Sequence, residues 1–247
     1  MHWDWQVFCT STLSGETTAC FGAAGDITYL QWMISAWGWT VSVAVIGFAI
    51  ALFAGVLVGI ARTLPVAPFA PVVWMATAWT ELFRNIPLLV QVFLWYHVLP
   101  VFVPALGSVS SFWLAAIALG LFTSARIAEQ VRAGLQTLPP GQALAARALG
   151  LSVAQVYAKV LLPQALRIIL PALTSEVMNV VKNSSVAFAV SLTELTLFAM
   201  QAQEETGRGL EIYAGVTLLY AVTALSINRV MALIESRTHL PGMVGAR

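Results

Sequence analysis

An all-α integral membrane fold is what this sequence predicts, on three observations. Of its 247 residues, 59% are hydrophobic and only 9% charged, whereas a soluble domain carries about a quarter charged residues. No Lys, Arg, Asp or Glu occurs from Ile27 to Ala61, nor from Asn85 to Ala125, and a span needs about 20 apolar residues. Once five spans are drawn, Arg62, Arg132, Arg147, Lys159, Arg167, Arg237 and Arg247 fall on one side and Arg208 on the other. Positive residues stay inside, so the amino terminus is expected outside the inner membrane and the carboxyl terminus in the cytoplasm.

The elements follow in order. Residues 1–30 read as a polar, turn-rich periplasmic segment with Asp4, Glu16 and Asp26 but no Lys or Arg. Without a positive n-region, no cleavable signal peptide is expected, and the first span directs insertion. Span one is drawn from Trp37 to Ala61, with Trp32, Trp37 and Trp39 marking an interface. Gly47, Ala51, Gly55 and Gly59 offer a small-residue face, either for close helix packing or as ordinary membrane glycine content. Pro65, Pro68 and Pro71 are read as the turn into span two, which is broken at Arg84-Asn85-Ile86-Pro87 and runs to about Val98. Pro100, Pro104 and Gly107 make the next hairpin. Span three starts near Ser111 and meets no proline before Pro139. It therefore runs about 28 residues or about 42 Å, longer than the roughly 30 Å hydrocarbon core. Its excess carries Arg126, Glu129 and Arg132. Span four starts near Gln164 and is poorly apolar, with Glu176, Lys182, Asn183, Ser184 and Ser185 within it. Glu194 to Glu211 reads as polar, and span five as Ile212 to Met231. One membrane domain, 31–236, precedes a cytoplasmic tail, 237–247.

The stretch from Leu138 to Gln164 interrupts this pattern with a compact knob. Pro139 and Pro140 stop one helix and preset the next, which fits Gly141 to Leu149. Gly150 sits where a left-handed cap is wanted. Ser152 and Gln155 form a capping-box pattern. A second helix then puts Val153, Val156, Tyr157, Val160 and Leu161 on one face, and Pro163 closes the unit.

Several chemistries are excluded or left unsupported. No Gly-x-x-x-x-Gly-Lys-Ser/Thr run is present, so this chain has no P-loop for ATP. A net charge of +1 without basic blocks gives no case for nucleic acid. No metal is expected, because His2, His97 and His239 are far apart and neither cysteine has a CxxC partner. Cys9 and Cys20 fall on the oxidising side. A bridge would close a loop of about 12 residues, worth on the order of 3 kcal/mol; two free thiols are the alternative.

Charged groups within a span are costly and mark functional positions. Arg84 stands at the break in span two and Lys182 in span four, beside Asn183 and Ser184, with Gln91 two turns beyond Arg84. Broken spans hold polar substrates in transporters, and two cations with amide and hydroxyl donors suit carboxylates. The alternatives are a snorkelling or Glu81-paired Arg84 and a Lys182 paired with Glu129 or Glu176.

The knob resembles the EAA loop of the permease subunits of bacterial ABC importers. Ala145, Ala146, Gly150, Val160, Leu162 and Pro163 match that pattern at full spacing; the first position is Leu144 in place of Glu. The run TELFRNIPLLVQVFLWY (Thr80 to Tyr96), the segment Leu121 to Asn183 and the tail LPG are similar to the polar amino-acid branch, and most of all to glutamate/aspartate permeases. Many relatives read Lys-Asp-Thr-Ser where this chain has Lys182-Asn183-Ser184-Ser185. The resemblance implies a non-enzymatic subunit that imports acidic amino acids. It implies coupling through loop 139–163 by Ala145, Ala146, Arg147, Gly150 and Leu151 to an ABC ATPase dimer that holds ATP and Mg. A second, similar permease subunit and a periplasmic amino-acid-binding protein complete the implied assembly. Arg147 is read either as a contact to acidic groove residues or as a solvated or headgroup-contacting side chain. Rival functions are a permease for glutamine or a basic amino acid, and an ion-coupled secondary transporter.

Overall fold

The structure, a computed structural model, describes residues 3–21 and 27–238. His2, Asp26, His239, Arg247 and the tail beyond Thr238 lie outside the described residues. Almost everything described is helical. A short 3-10 helix, Trp5–Cys9, precedes the first long helix, and isolated bridges pair Thr10 with Thr17 and Ser11 with Thr28.

Helix α1, Tyr29–Ala61, contains no proline and no charge. It starts eight residues before the drawn span because Thr28 and Gln31 cap it. The Gln31 side chain accepts from Thr28 N (3.0 Å), and Gln31 N donates to Thr28 Oγ1 (3.4 Å). Helix α2, Val66–Asn85, corrects the expected three-proline turn. Only Pro65 precedes it; Ala67 and Phe69 are irregular, and Pro71 lies inside the helix. The break comes where expected: Ile86 is extended (φ −98°, ψ 129°), as a residue before proline prefers. Helix α3, Leu88–Phe102, passes its expected end at Val98. A π-helical stretch, Leu94–Val98, allows this, with Leu99 N–H reaching Leu94 O, so Pro100 is carried without ending the helix. Helix α4, Ser111–Gln136, follows a 3-10 turn at Pro104–Ser108.

The knob begins with α5, Pro140–Ala148, and Gly150 is left-handed (φ +84°). Ser152 caps α6, Val153–Val156, through the full capping box with Gln155. Pro163 does not close the unit. A π turn, Tyr157–Leu161, lets Leu162 N–H bond Tyr157 O, and the chain continues into α7, Leu162–Asn183. A 3-10 stretch, Ser184–Val190, ends at Ser191 in the left-handed region. The polar run after Glu194 contains a further helix, α8, Leu195–Thr206. It buries Leu195, Phe198, Ala199 and Ala202, a spacing of three, one and three. Helix α9, Gly209–Thr238, is the last. Among the described residues, four segments are long and apolar enough to cross a membrane, and five if the interrupted pair α2–α3 counts as one.

The chain divides into two compact units, and the divisions fall inside α1, α3, α4, α7 and α9. The first unit comprises Met1–Ile46, Leu89–Ala116 and Val181–Ser226. Its core is Val7, Phe8, Tyr29, Met33 and Ala36 with Leu195, Phe198, Ala199, Ala202, Ile212 and Val216. Trp32 meets Phe198 edge-on at 5.1 Å. The amino-terminal segment is closed on itself covalently by a Cys9–Cys20 disulfide. It is also tied by polar bonds: Asp4 pairs with Arg208 (3.2 Å), and Asp4 N donates to Glu211 (3.0 Å).

The second unit comprises Gly47–Leu88, Ile117–Val180 and Ile227–Arg247. Its core joins Ala51 of α1 with Ile127, Val131, Leu135 and Leu138 and with Ala165, Ile169 and Leu173. The glycine face of α1 is used within this chain. A Cβ on Gly55 would sit 2.7 Å from Ile127 Cβ, and one on Gly59 would sit 2.6 Å from Val131 Cβ. Both distances are below van der Waals contact, so the two helices approach closely only because those positions lack side chains.

Candidate functional site

Three places carry chemistry. The first is the knob. Gly150 N donates to Arg147 O (2.9 Å) and Leu151 N to Ala146 O (3.2 Å), a Schellman-type closure that needs the left-handed residue. Ala146 turns inward and is buried, whereas Ala145, Arg147 and Gly150 are exposed and Leu151 is half-buried. Leu144 and Leu149 are 68% and 81% exposed, so an apolar patch flanks the small residues. The knob is braced from behind: Tyr157 OH donates to Thr63 O (2.7 Å), and Gln164 Nε2 donates to Gln142 Oε1 (3.0 Å). Tyr157 and Leu161, partly buried, pack against the core of the second unit, and Val156 beside them is buried.

The second is the end of α7. Lys182 is exposed in the last helical turn, where the helix dipole favours a cation. No carboxylate pairs with Lys182 among the described residues. Asn183 is half-buried and Ser184 buried; Ser184 Oγ donates to Val181 O (2.7 Å) and Ser185 Oγ to Lys182 O (2.8 Å). Gln91 is buried at 2% exposure in the same unit.

The third is a charged cluster in the second unit. Glu129 on α4 is met by Arg62, Arg132 and, at 3.8 Å, Arg84. Glu176 on α7 is 5% exposed. Its Oε1 accepts from Arg126 Nε (3.2 Å), Arg126 Nη2 (3.1 Å) and Gln130 Nε2 (3.0 Å). Four guanidiniums thus share two carboxylates. A cavity of about 350 Å³ opens on this cluster, lined by Arg84, Phe122, Arg126, Glu129 and Gln130. The sequence reading offered Glu176 or Glu129 as a partner for Lys182 and Glu81 as one for Arg84. The structure gives Glu176 to Arg126 and Glu129 to three arginines, while Glu81 accepts from Asn85 Nδ2 (3.2 Å). Lys182, Asn183, Ser184 and Gln91 lie in the first unit and Arg84 in the second. Arg126 and Gln130, one helical turn apart, were not singled out, although spacing of four on a span is a legible signal. No group of His, Cys, Asp and Glu among the described residues could hold a metal.

A helical membrane chain with a braced, small-residue knob and no nucleotide motif is the form of a transport subunit driven from outside itself. The chain belongs to the family of binding-protein-dependent transport system inner membrane components, which its residues 51–240 match. It is 37% identical, over 100% of its length and 99% of the relative's, to the glutamate/aspartate import permease protein GltJ of Escherichia coli K12. It is 35% identical over 80% of its length, and 89% of the relative's, to the probable glutamine ABC transporter permease protein GlnM of Bacillus subtilis. Among solved structures it resembles an amino acid ABC transporter crystallised with histidines. That match has a TM-score of 0.73 and 31% identity, and covers 85% of this chain and 95% of that one. The MetNI methionine ABC transporter shares the fold, with a TM-score of 0.68 at 23% identity over 86% and 96% of the two chains. The chain is therefore an inner-membrane permease subunit of an amino-acid ABC transporter, not an enzyme, and its ATPase is a separate subunit. Membership of this family removes the ion-coupled secondary transporter.

Proposed function

We propose that this chain is a permease half of an ATP-driven importer of acidic amino acids, glutamate or aspartate, from periplasm to cytoplasm. The observation that carries the substrate class is Lys182, an exposed ammonium in Lys182-Asn183-Ser184 with no carboxylate paired to it among the described residues. An unneutralised cation at a polar helix end suits an anionic guest. Full-length likeness to GltJ supports the same class. Arg84 and Gln91 complete the proposed substrate path.

Coupling is assigned to the knob. Ala145, Ala146, Arg147, Gly150 and Leu151 seat against an ABC ATPase dimer, where ATP and Mg reside, and the exposed Leu144 and Leu149 add apolar contact. Closure of the ATPases moves the knob, and its bracing to Thr63 and Gln164 carries that motion into the helices. The amino terminus lies in the periplasm and the carboxyl terminus in the cytoplasm, with the membrane domain at 31–236. A second, similar permease subunit and a periplasmic binding protein complete the assembly.

The test is reconstitution with the co-expressed partners and uptake of radiolabelled glutamate, aspartate, glutamine and arginine. Acidic substrates should dominate. Lys182→Met should lower glutamate uptake about tenfold, the loss of one charge-assisted contact of roughly 1.5 kcal/mol, while the complex still assembles. Preferential arginine or glutamine uptake by the native complex would overturn the substrate class.

A further inference from the structure

We infer that the amino-terminal segment is a membrane-interface anchor: the stacked rings of Trp3 and Trp5 seat at the headgroup–acyl boundary of a phospholipid leaflet, beside the first turns of α9. None of the residues involved belongs to the proposed substrate path or to the knob, and all lie in the first unit. From the topology proposed above comes only the statement that this leaflet is the periplasmic one.

The segment presents aromatic surface and little else. Trp3 and Trp5 stack nearly parallel, with 5.4 Å between ring centroids and 11° between planes, and Trp5 stacks on Phe8 at 6.1 Å. Phe8, the inner ring, is buried in the core of the first unit. The two outer rings are 58% and 54% exposed. The chain around them is fixed. Asp4, between the two, pairs with Arg208 (3.2 Å), its N donates to Glu211 (3.0 Å), and its Oδ1 accepts from Gln6 N (3.1 Å) to cap the Trp5–Cys9 turn. The Cys9–Cys20 disulfide closes the chain behind that turn. The charged side chain is thus spent within the protein, and two indoles are left on the outside. An indole has an apolar body and one N–H donor, the combination that collects at membrane–water interfaces.

The position of the rings on α9 decides what covers them. Glu211, Gly215, Leu218 and Val222 follow one another at spacings of four, three and four, which makes them one stripe of the helix. The segment covers the first two. Asp4 N meets Glu211, and Phe8 lies so close to Gly215 that a Cβ there would be 2.7 Å from Phe8 Cζ. Beyond the segment the stripe is bare, with Leu218 and Val222 exposed on a helix long and apolar enough to cross a membrane. The aromatic pile therefore continues the surface that meets acyl chains. Its depth agrees. The thirty residues of α9 span about 45 Å, the thickness of a bilayer with its headgroups, about 40–45 Å. Gly215 stands about 9 Å inside the end of α9, and each headgroup layer is roughly 5–8 Å deep. Phe8 then lies where headgroups give way to acyl chains, and Trp5, one ring away, lies in the belt that Trp and Tyr favour. Leu210 and Tyr213, on the same two turns of α9, are exposed as well.

The experiment is fluorescence quenching of the full chain, with its co-expressed partners, in nanodiscs of phosphatidylethanolamine and phosphatidylglycerol. The native complex is compared with a Trp3→Phe, Trp5→Phe variant, which keeps a stacked pile and removes two emitters. Their difference spectrum reports Trp3 and Trp5. Lipids brominated just below the headgroup should quench that difference about twofold, and lipids brominated near the chain end should quench it less, as interfacial indoles require. Trp3→Phe alone, at the outermost ring, gives the same reading should the double variant assemble poorly. A difference spectrum that neither brominated lipid quenches overturns the anchor: quenching by aqueous iodide would then place the rings in water, and none would place them against a protein partner. Stronger quenching from the chain end overturns the interfacial depth. Sidedness is read separately, from labelling of a Leu13→Lys variant by an impermeant amine reagent on spheroplasts. Lipid quenching without outside labelling leaves the anchor standing and overturns the periplasmic amino terminus.

Discussion

The two units treat their acidic residues in opposite ways. In the first unit, the carboxylates of Glu194, Glu205 and Glu211 are met by neutral donors, and only the half-exposed Asp4 pairs with an arginine, Arg208. Glu194 caps α8, accepting from Thr196 N (2.9 Å) and Leu197 N (3.1 Å), with Tyr220 OH at 3.3 Å; Glu205 accepts from Tyr29 OH (2.8 Å) and Glu211 from Asp4 N (3.0 Å). In the second unit, Glu129 and Glu176 are met by arginines. Neutral donors fix a helix end or a chain terminus and add no positive charge, whereas guanidiniums outnumbering carboxylates leave a local positive excess. The first arrangement holds a shape; the second also attracts an anion.

The contrast is broken most severely through the packing that lets α1 approach α4. Gly59→Leu places a side chain where even a Cβ would be 2.6 Å from Val131 and 2.8 Å from Ala128 O. Because backbone stands in the way, loss of folded protein is expected, read as absence of a monodisperse peak after detergent extraction. Gly38→Leu, where nothing lies within 4 Å, should leave that peak unchanged.

Removing the anion that three guanidiniums share comes next. Glu129→Gln leaves Arg62, whose side chain is 11% exposed, without its carboxylate. A cost of about 3 kcal/mol is expected, at the low end for a broken buried pair because Glu129 itself is 28% exposed. The check is a thermal-unfolding midpoint some 6–12 °C lower at about 2–4 °C per kcal/mol. An unchanged midpoint would mean that the cluster contributes no stability.

The smallest effect concerns Glu194, which lies between the membrane-spanning helices. Burial pushes its carboxyl up from the ordinary 4.5 to about 7, against the pull of the Thr196 and Leu197 backbone donors. A raised carboxyl pKa means that the folded state holds the proton more tightly than the unfolded one. Stability is then greatest below about pH 4.5, falls as pH rises toward about 7, and is flat above it. Between pH 5 and 7.5 the decline should reach about 2 kcal/mol at 1.36 kcal/mol per pH unit. Glu194→Gln keeps an acceptor oxygen for the cap and should flatten that slope in unfolding midpoints measured across the range. An equally steep slope in the variant would assign the titration elsewhere.

Much of the architecture is legible in the sequence alone. The break at Pro87, the start of the third span at Ser111 and the Gly150–Ser152 punctuation are local chemistry: a missing N–H, a left-handed residue, a side-chain cap. Errors arose where one local signal was overridden by another. Pro163 and Pro100 read as stops, but π turns at Tyr157–Leu161 and Leu94–Val98 rerouted one hydrogen bond each and let the helices continue. Helix α8 was hidden because its four buried residues sit among Glu194, Gln201, Gln203, Glu204 and Glu205. Of the candidate residues, Lys182 and Arg84 drew notice as lone cations in apolar runs. Gln130 did not, and Arg126 and Glu176 entered only as part of the excess of span three and as a possible partner for Lys182, because their meaning depends on which helix faces which.

Composition and local punctuation, then, were enough to establish a membrane-embedded helical chain, its spans and its knob. A residue's solvent transfer cost and its own backbone preferences travel with the sequence. Partner choice did not travel with it. That Glu176 answers Arg126 rather than Lys182, and that Gly55 and Gly59 admit α4, was settled only by tertiary packing, because Coulomb and contact energies depend on distances that no spacing along the chain specifies.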